Sequence, residues 1–63
     1  MNKIDFIRSK KQLSYKDIAQ KTGLTIAYIQ MLAKNKRSNP SLEAMQKIAI
    51  ALNEKVERVF QVN

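Results

Sequence analysis

The segment SYKDIAQKTGLTIAYIQML, residues 14–32, surrounds Gly23, the one glycine of the chain. Ser14 followed by Asp17 resembles a capping box, with the shorter Asp in place of Glu or Gln. Ile18 and Ala19 supply an inward face, and Gly23 supplies the left-handed residue that stops a helix. Thr25 then offers a new N-cap, and Ile29 and Leu32 repeat at helical spacing. The segment therefore reads as two short helices, about residues 15–21 and 25–34, joined by a tight turn. Leu24 in that turn is expected to join the core. Neither helix is long enough to stand alone, so the rest of the chain must cover both.

The chain has 63 residues, with no Cys and no His. Disulfides and metal sites, the usual supports of a domain this small, are not expected. Helix packing or a dimer interface must stabilise it. No stretch shows the period-two pattern of a strand. Helix 1 is expected over about residues 3–11, with Asn2 as its cap, Asp5 in its first turn, and Ile4 and Ile7 facing inward. A polar loop, KNKRSN, follows helix 3. Pro40 leads into Ser41, the cap of helix 4, whose apolar face reads Leu42, Met45, Ile48, Ala49 and Leu52. Asn53 suits a left-handed turn. Helix 5 covers about residues 56–60, and Lys55 caps it poorly, so its end is expected to fray unless a partner holds it. The expectation is a single all-α domain over residues 1–63, with no linker and no internal repeat.

Lys and Arg number 12 against 5 Asp and Glu, a formal net charge of +7. Such an excess favours polyanions. Two short helices around a glycine turn form the helix-turn-helix pattern, whose second helix can enter the DNA major groove. That pattern separates DNA from the other polyanions. A basic membrane-surface helix needs no such turn, and no aromatic sheet platform for RNA is visible. No apolar run reaches the ~18 residues of a membrane span. The start MNKIDFIRSKK is too charged for a signal peptide. A cytoplasmic, nucleoid-associated protein is expected. No enzyme activity is expected, because His, Cys, a Gly-rich phosphate loop and paired carboxylates are all missing. No cofactor and no metal are expected either.

The pattern IxxIRxxxxLSxxxIAxxTGLTxxYIxxL, followed by NPSLEAMQKIAIAL, closely resembles the Cro and phage-repressor superfamily, also called xenobiotic-response-element-type regulators. The resemblance covers about residues 4–60. It implies a compact five-helix, lambda-repressor-like DNA-binding domain, with helices 2 and 3 as the helix-turn-helix and helix 3 as the recognition helix. It also implies a homodimer on a palindromic operator, and repression. Three positions depart from the family pattern. Gln12 stands where glycine is common, so that turn is expected to be strained or differently conformed. Ala33 stands where an acidic partner for Arg8 is common, so Arg8 must find Asp5, a backbone carbonyl, water or a phosphate. Tyr15 replaces the usual Gln at the start of helix 2.

Mapped on this chain, the base-reading face is Thr25, Ile26, Ala27, Tyr28 and Met31, with Gln30 beside it. The set lacks the Arg, Asn or Gln pairs that bind guanine or adenine in bidentate fashion. Ile26, Ala27 and Met31 are expected on thymine methyl groups and Tyr28 on a base edge or phosphate. The same residues could instead be core. Ile26 and Met31 lie off the Ile29–Leu32 face, which favours exposure. Lys34, Lys36 and Arg37, just after helix 3, are expected at phosphates, with Tyr15 and Lys16 at the start of helix 2. Lys21, Lys47, Lys55 and Arg58 are expected elsewhere. Val56, Val59, Phe60 and Val62 are the expected dimer surface. The competing reading is that the first three close the core and only Val62 is left over. Phe6 is a second surface candidate, unless it packs on Phe60. The alternative function is a helix-turn-helix scaffold whose apolar helix 3 binds a protein, as in an anti-repressor or a recombination accessory factor.

Overall fold

Short helices expose many unpaired backbone groups for each bond they make, so their ends decide whether they form. The computed structural model describes residues 2–37 and 39–60. It contains five helices among them: α1 Ile4–Lys10, α2 Tyr15–Thr22, α3 Ile26–Ala33, α4 Leu42–Ala51 and α5 Val56–Val59. Three N-termini are closed by the side chains expected. The Ser14 hydroxyl accepts from the Asp17 amide at 3.0 Å while the Asp17 carboxylate accepts from the Ser14 amide at 2.9 Å, a complete capping box. Thr25 accepts from the Tyr28 amide at 3.1 Å and Ser41 from the Ala44 amide at 3.0 Å. Lys55 makes no side-chain cap. Asn2 is displaced from the role expected of it, because Lys3 holds the cap position of α1. The Asn2 side chain still accepts from the Ile4 amide at 3.0 Å, and it donates to the Leu32 carbonyl at the end of α3 at 2.7 Å.

Three C-termini close the same way. After α1, α3 and α4 the chain turns through a left-handed residue: Gln12 at φ 57°, Asn35 at φ 59° and Asn53 at φ 57°. Each turn carries the paired bonds of a Schellman motif. The Leu13 amide donates to the Arg8 carbonyl at 2.9 Å and the Gln12 amide to Ser9 at 3.2 Å. Lys36 to Met31 and Asn35 to Leu32 repeat the pair after α3, and Glu54 to Ala49 and Asn53 to Ile50 after α4. Gln12 thus holds the strained conformation that its place in the sequence suggests. α2 ends at Gly23, φ 79°. There the buried Thr22 hydroxyl donates to the Ile18 carbonyl at 2.8 Å and accepts from the Leu24 amide at 3.1 Å.

The core is built from Ile4 and Ile7 of α1, Ile18 of α2, Ile29 and Leu32 of α3, Ile48 and Leu52 at α4, and Val59 and Phe60. Each fully buried aliphatic side chain contributes about 2 kcal/mol by leaving water. Leu24 and Met45 are half-buried against this cluster. The expected inner face of α4 needs correction at its first residue. Leu42 points outward, and Ala44 and Ala51 are buried in addition. The buried arc of the helix centres on Ile48, and Leu42 lies off it.

The expected dimer surface also needs correction. Val59 is completely buried and Phe60 nearly so. Val56 packs half-buried against the same core. The Lys3 amide donates to the Val59 carbonyl at 2.7 Å, and Asn2 pairs with Phe60 as an antiparallel bridge. The chain's own N-terminal segment therefore holds the end of α5. Val62 lies outside the described residues. Phe6 does not join Phe60 in the core; it is 62% exposed, with the Lys10 ammonium 5.3 Å from its ring centre.

Gln12→Gly and Gly23→Ala should move stability in opposite directions, each by roughly 1 kcal/mol. Space is open where a Cβ at Gly23 would stand, so the loss there comes from backbone strain alone. Urea unfolding of both variants checks the signs; a destabilised Gln12→Gly would show that the Gln side chain outweighs its backbone strain.

Candidate nucleic-acid interface

α3 buries Ile29, Leu32 and Ala33. That burial turns the rest of the helix outward. Thr25, Ala27 and Gln30 are exposed, and Ile26 and Met31 retain 46% and 40% exposure. An α-helix with its side chains is about 10–12 Å across, which fits the major groove, about 12 Å wide. Tyr28 differs from the others, being half-buried and packed against the core. Its ring supports Arg37, whose guanidinium lies 5.1 Å from the ring centre.

The segment after α3 folds back over the helix end. The amides of Lys36 and Arg37 both donate to the Met31 carbonyl, at 2.9 and 3.3 Å. These bonds hold the backbone of both residues at the C-terminal end of α3, where their side chains are exposed and Arg37 stacks on Tyr28. Neither is in an ion pair among the described residues. Lys16 is exposed in the first turn of α2. Lys47 and Arg58 pair with Glu43 and Glu54 instead.

Lys34 is handled differently. Its ammonium lies 3.2 Å from the Asp5 carboxylate of α1. The other Asp5 oxygen accepts from the Tyr15 hydroxyl at 2.6 Å and from the Arg8 guanidinium at 3.1 Å. Arg8 also donates to the Leu13 carbonyl at 3.1 Å and stacks 4.5 Å from the Tyr15 ring centre. One carboxylate thus gathers groups from α1, the start of α2 and the end of α3. Partial burial pushes the Asp5 carboxyl up, but the bonds from Tyr15, Lys34 and Arg8 outweigh it and hold it below the usual range. Burial and the bond to Asp5 raise the Tyr15 hydroxyl. The bond to Asp5 raises Lys34, which therefore stays charged. The Ser14 backbone amide, then its hydroxyl, lowers the Asp17 carboxyl in the capping box.

Among the described residues, no group of His, Cys, Asp or Glu could hold a metal ion, and no helix is long and apolar enough to cross a membrane. The family model described as Helix-turn-helix matches residues 6–59. The chain belongs to that helix-turn-helix family, the Cro and phage-repressor type. Its members are DNA-binding regulators. No curated protein matches the chain in a sequence comparison.

The helix-turn-helix here keeps its turn and departs at its edges. Tyr15, expected at DNA, commits its hydroxyl hydrogen to Asp5, so it has none to give a phosphate. It binds the same Asp5 carboxylate that Lys34 meets. Ala33 leaves Arg8 without an acidic partner on α3, and Arg8 takes Asp5 and the Leu13 carbonyl instead. The sequence reading missed the meeting of Asp5 with Lys34, because 29 positions separate them and no local pattern links them. It also missed Lys11, whose ammonium donates to the Leu52 carbonyl at 2.6 Å and so closes the end of α4. A lysine ending one helix gives no sign of which distant carbonyl it will meet.

Because Asp5 titrates below its ordinary 3.8, its stabilisation is present above that pH and is lost as pH falls through the folded value. Asp5→Asn should melt below wild type at pH 7, and the gap should close as pH drops to about 2. Thermal melts across that range test it; an equal gap at both ends would mean that the Asp5 charge contributes nothing.

Proposed function

We propose that this helix-turn-helix protein is a sequence-specific transcriptional regulator, a phage or mobile-element-type repressor that binds a palindromic operator through α3. The observation that carries the reading is the exposed, nearly uncharged face of α3, with exposed Lys36 and Arg37 anchored by their backbone at its C-terminal end. The cations attract phosphates of any sequence, and the helix face supplies what discrimination exists. Ile26, Ala27 and Met31 suit thymine methyl groups, and Thr25 and Gln30 add hydrogen-bonding groups at the same face. Such a face favours A·T steps, through methyl contacts and DNA shape.

Lys34 reaches phosphate only in competition with Asp5, so Lys36, Arg37 and Lys16 carry more of the salt-dependent affinity. One recognition helix reads half an operator, and a homodimer sets two of them about 34 Å apart. The exposed Ile26 and Met31 also favour a second reading, in which α3 docks in a groove on another protein.

Binding of the purified protein to the DNA upstream of its own coding sequence, at several salt concentrations and against competitor DNA, separates the two. Tight, competitor-resistant binding is the expected result. Lys36→Ala and Arg37→Ala should each weaken binding on all sequences and lower the salt slope by about one. Ile26→Ala and Met31→Ala should shift sequence preference while changing stability by no more than about 0.5 kcal/mol. Binding that vanishes with salt and ignores all four substitutions would leave only the net charge acting, and the protein-docking reading would take its place.

A further inference from the structure

α1 has two outer flanks of different character. Asp5 and Arg8 occupy one and face the start of α2 and the end of α3. Lys3, Phe6 and Lys10 fall together on the other, because a helix advances about 100° per residue. This second flank forms one wall of a cleft of about 260 Å³. Glu54 and Arg58, from the turn after α4 and from α5, form the facing wall, with Lys11 between. Phe6 and the nearly buried Ile7 give the cleft its apolar surface.

The charges of the cleft are strongly one-sided: four cations against one carboxylate. That carboxylate is already neutralised, since Glu54 pairs with Lys11 at 3.5 Å and with Arg58 at 3.3 Å. Lys3 and Lys10 are exposed and belong to no ion pair among the described residues. An incoming anion therefore meets two cations without displacing anything, beside an aromatic ring that the core does not use.

We propose that this cleft binds an extended acidic segment of another protein. One apolar side chain of the segment sits on Phe6 and Ile7, and a carboxylate on either side of it meets Lys3 and Lys10. Charge complementarity selects the partner's sign, and geometry selects its pattern. Lys3 and Lys10 stand about 10 Å apart along α1, with Phe6 between them. Residues i, i+2 and i+4 of an extended chain share one face, and the outer two lie about 13 Å apart. Flexible lysine arms cover the difference. The cleft is smaller than the about 300–1,000 Å³ of a site for a whole small ligand, so it suits a single anchoring side chain. One exposed ring makes no track for successive bases, which favours a peptide over single-stranded nucleic acid. A second copy of this chain, with 12 cations against 5 acidic residues, has the wrong sign. The cleft shares no residue with the candidate nucleic-acid interface, so the proposal stands or falls apart from the DNA reading.

The test is amide NMR titration of the protein with synthetic peptides of the form Glu-Asp-Ser-X-Ser-Asp-Glu, X being Phe, Leu, Met or Gly. A thymidine hexanucleotide serves as the nucleic-acid probe. At least one apolar X should bind with Kd below about 1 mM, with shifts centred on residues 3–11 and 54–58. The Gly peptide should bind at least fivefold more weakly. Phe6→Ala, at an exposed position, should melt as wild type does and remove most of the preference for apolar X over Gly. Lys3→Gln combined with Lys10→Gln should weaken every peptide at least fivefold. Four results would each overturn the proposal: no binding up to 1 mM, equal binding of the Gly peptide, shifts centred on another face, or a hexanucleotide that occupies the cleft more tightly than any peptide.

Discussion

Every element of this domain depends on closing the ends of helices too short to be stable alone. The longest helix has ten residues and the shortest four. With so few internal bonds per helix, unpaired terminal N–H and C=O groups weigh heavily. The chain meets them with three side-chain N-caps and three Schellman turns. It then adds long-range closures. Lys11 reaches the end of α4, and Asn2 reaches the end of α3. These last two cap a helix and fix its distance from another, so capping and tertiary assembly are one event.

The same economy shapes the outward face of α3. Its apolar inner residues anchor it, and its C-terminal turn holds the backbone of Lys36 and Arg37 at its end. The turn that satisfies the helix carbonyls also positions the proposed phosphate contacts. Asp5 adds a second level of control. By gathering Tyr15, Arg8 and Lys34, it joins three helices, and it partly neutralises a cation that lies near the proposed DNA surface. A carboxylate in that place makes the fold sensitive to acid, and on the proposed DNA reading it makes Lys34 compete with Asp5 for any phosphate.

Local features of the sequence translated well into structure. Ser14 with Asp17, Gly23, Thr25 and Ser41 act within three or four residues of themselves, and each took its expected role. Gln12 was legible through the family pattern, as a turn expected to be strained or differently conformed where glycine is common. The exposure of Ile26 and Met31 followed from the spacing of Ile29 and Leu32. Periodicity served less well at the edges of helices. Leu42 begins α4 where one step around the helix decides between core and solvent, and the pattern placed it on the wrong side. Val59 and Phe60 looked surplus to so short a helix because the segment that covers them lies at the other end of the chain.

What the sequence by itself determined is the helix boundaries, the turn between α2 and α3, the family, and the positive charge around α3, since all of these arise from neighbours along the chain. Only the tertiary structure decided which apolar residues remain outside, which cations are free, and which helix ends are closed from afar. Those outcomes depend on contacts between residues far apart in sequence, where Asp5 meets Lys34, Lys11 meets Leu52, and the N-terminal segment covers Phe60. Such contacts exist only once the core has brought the helices together, and no local pattern encodes them.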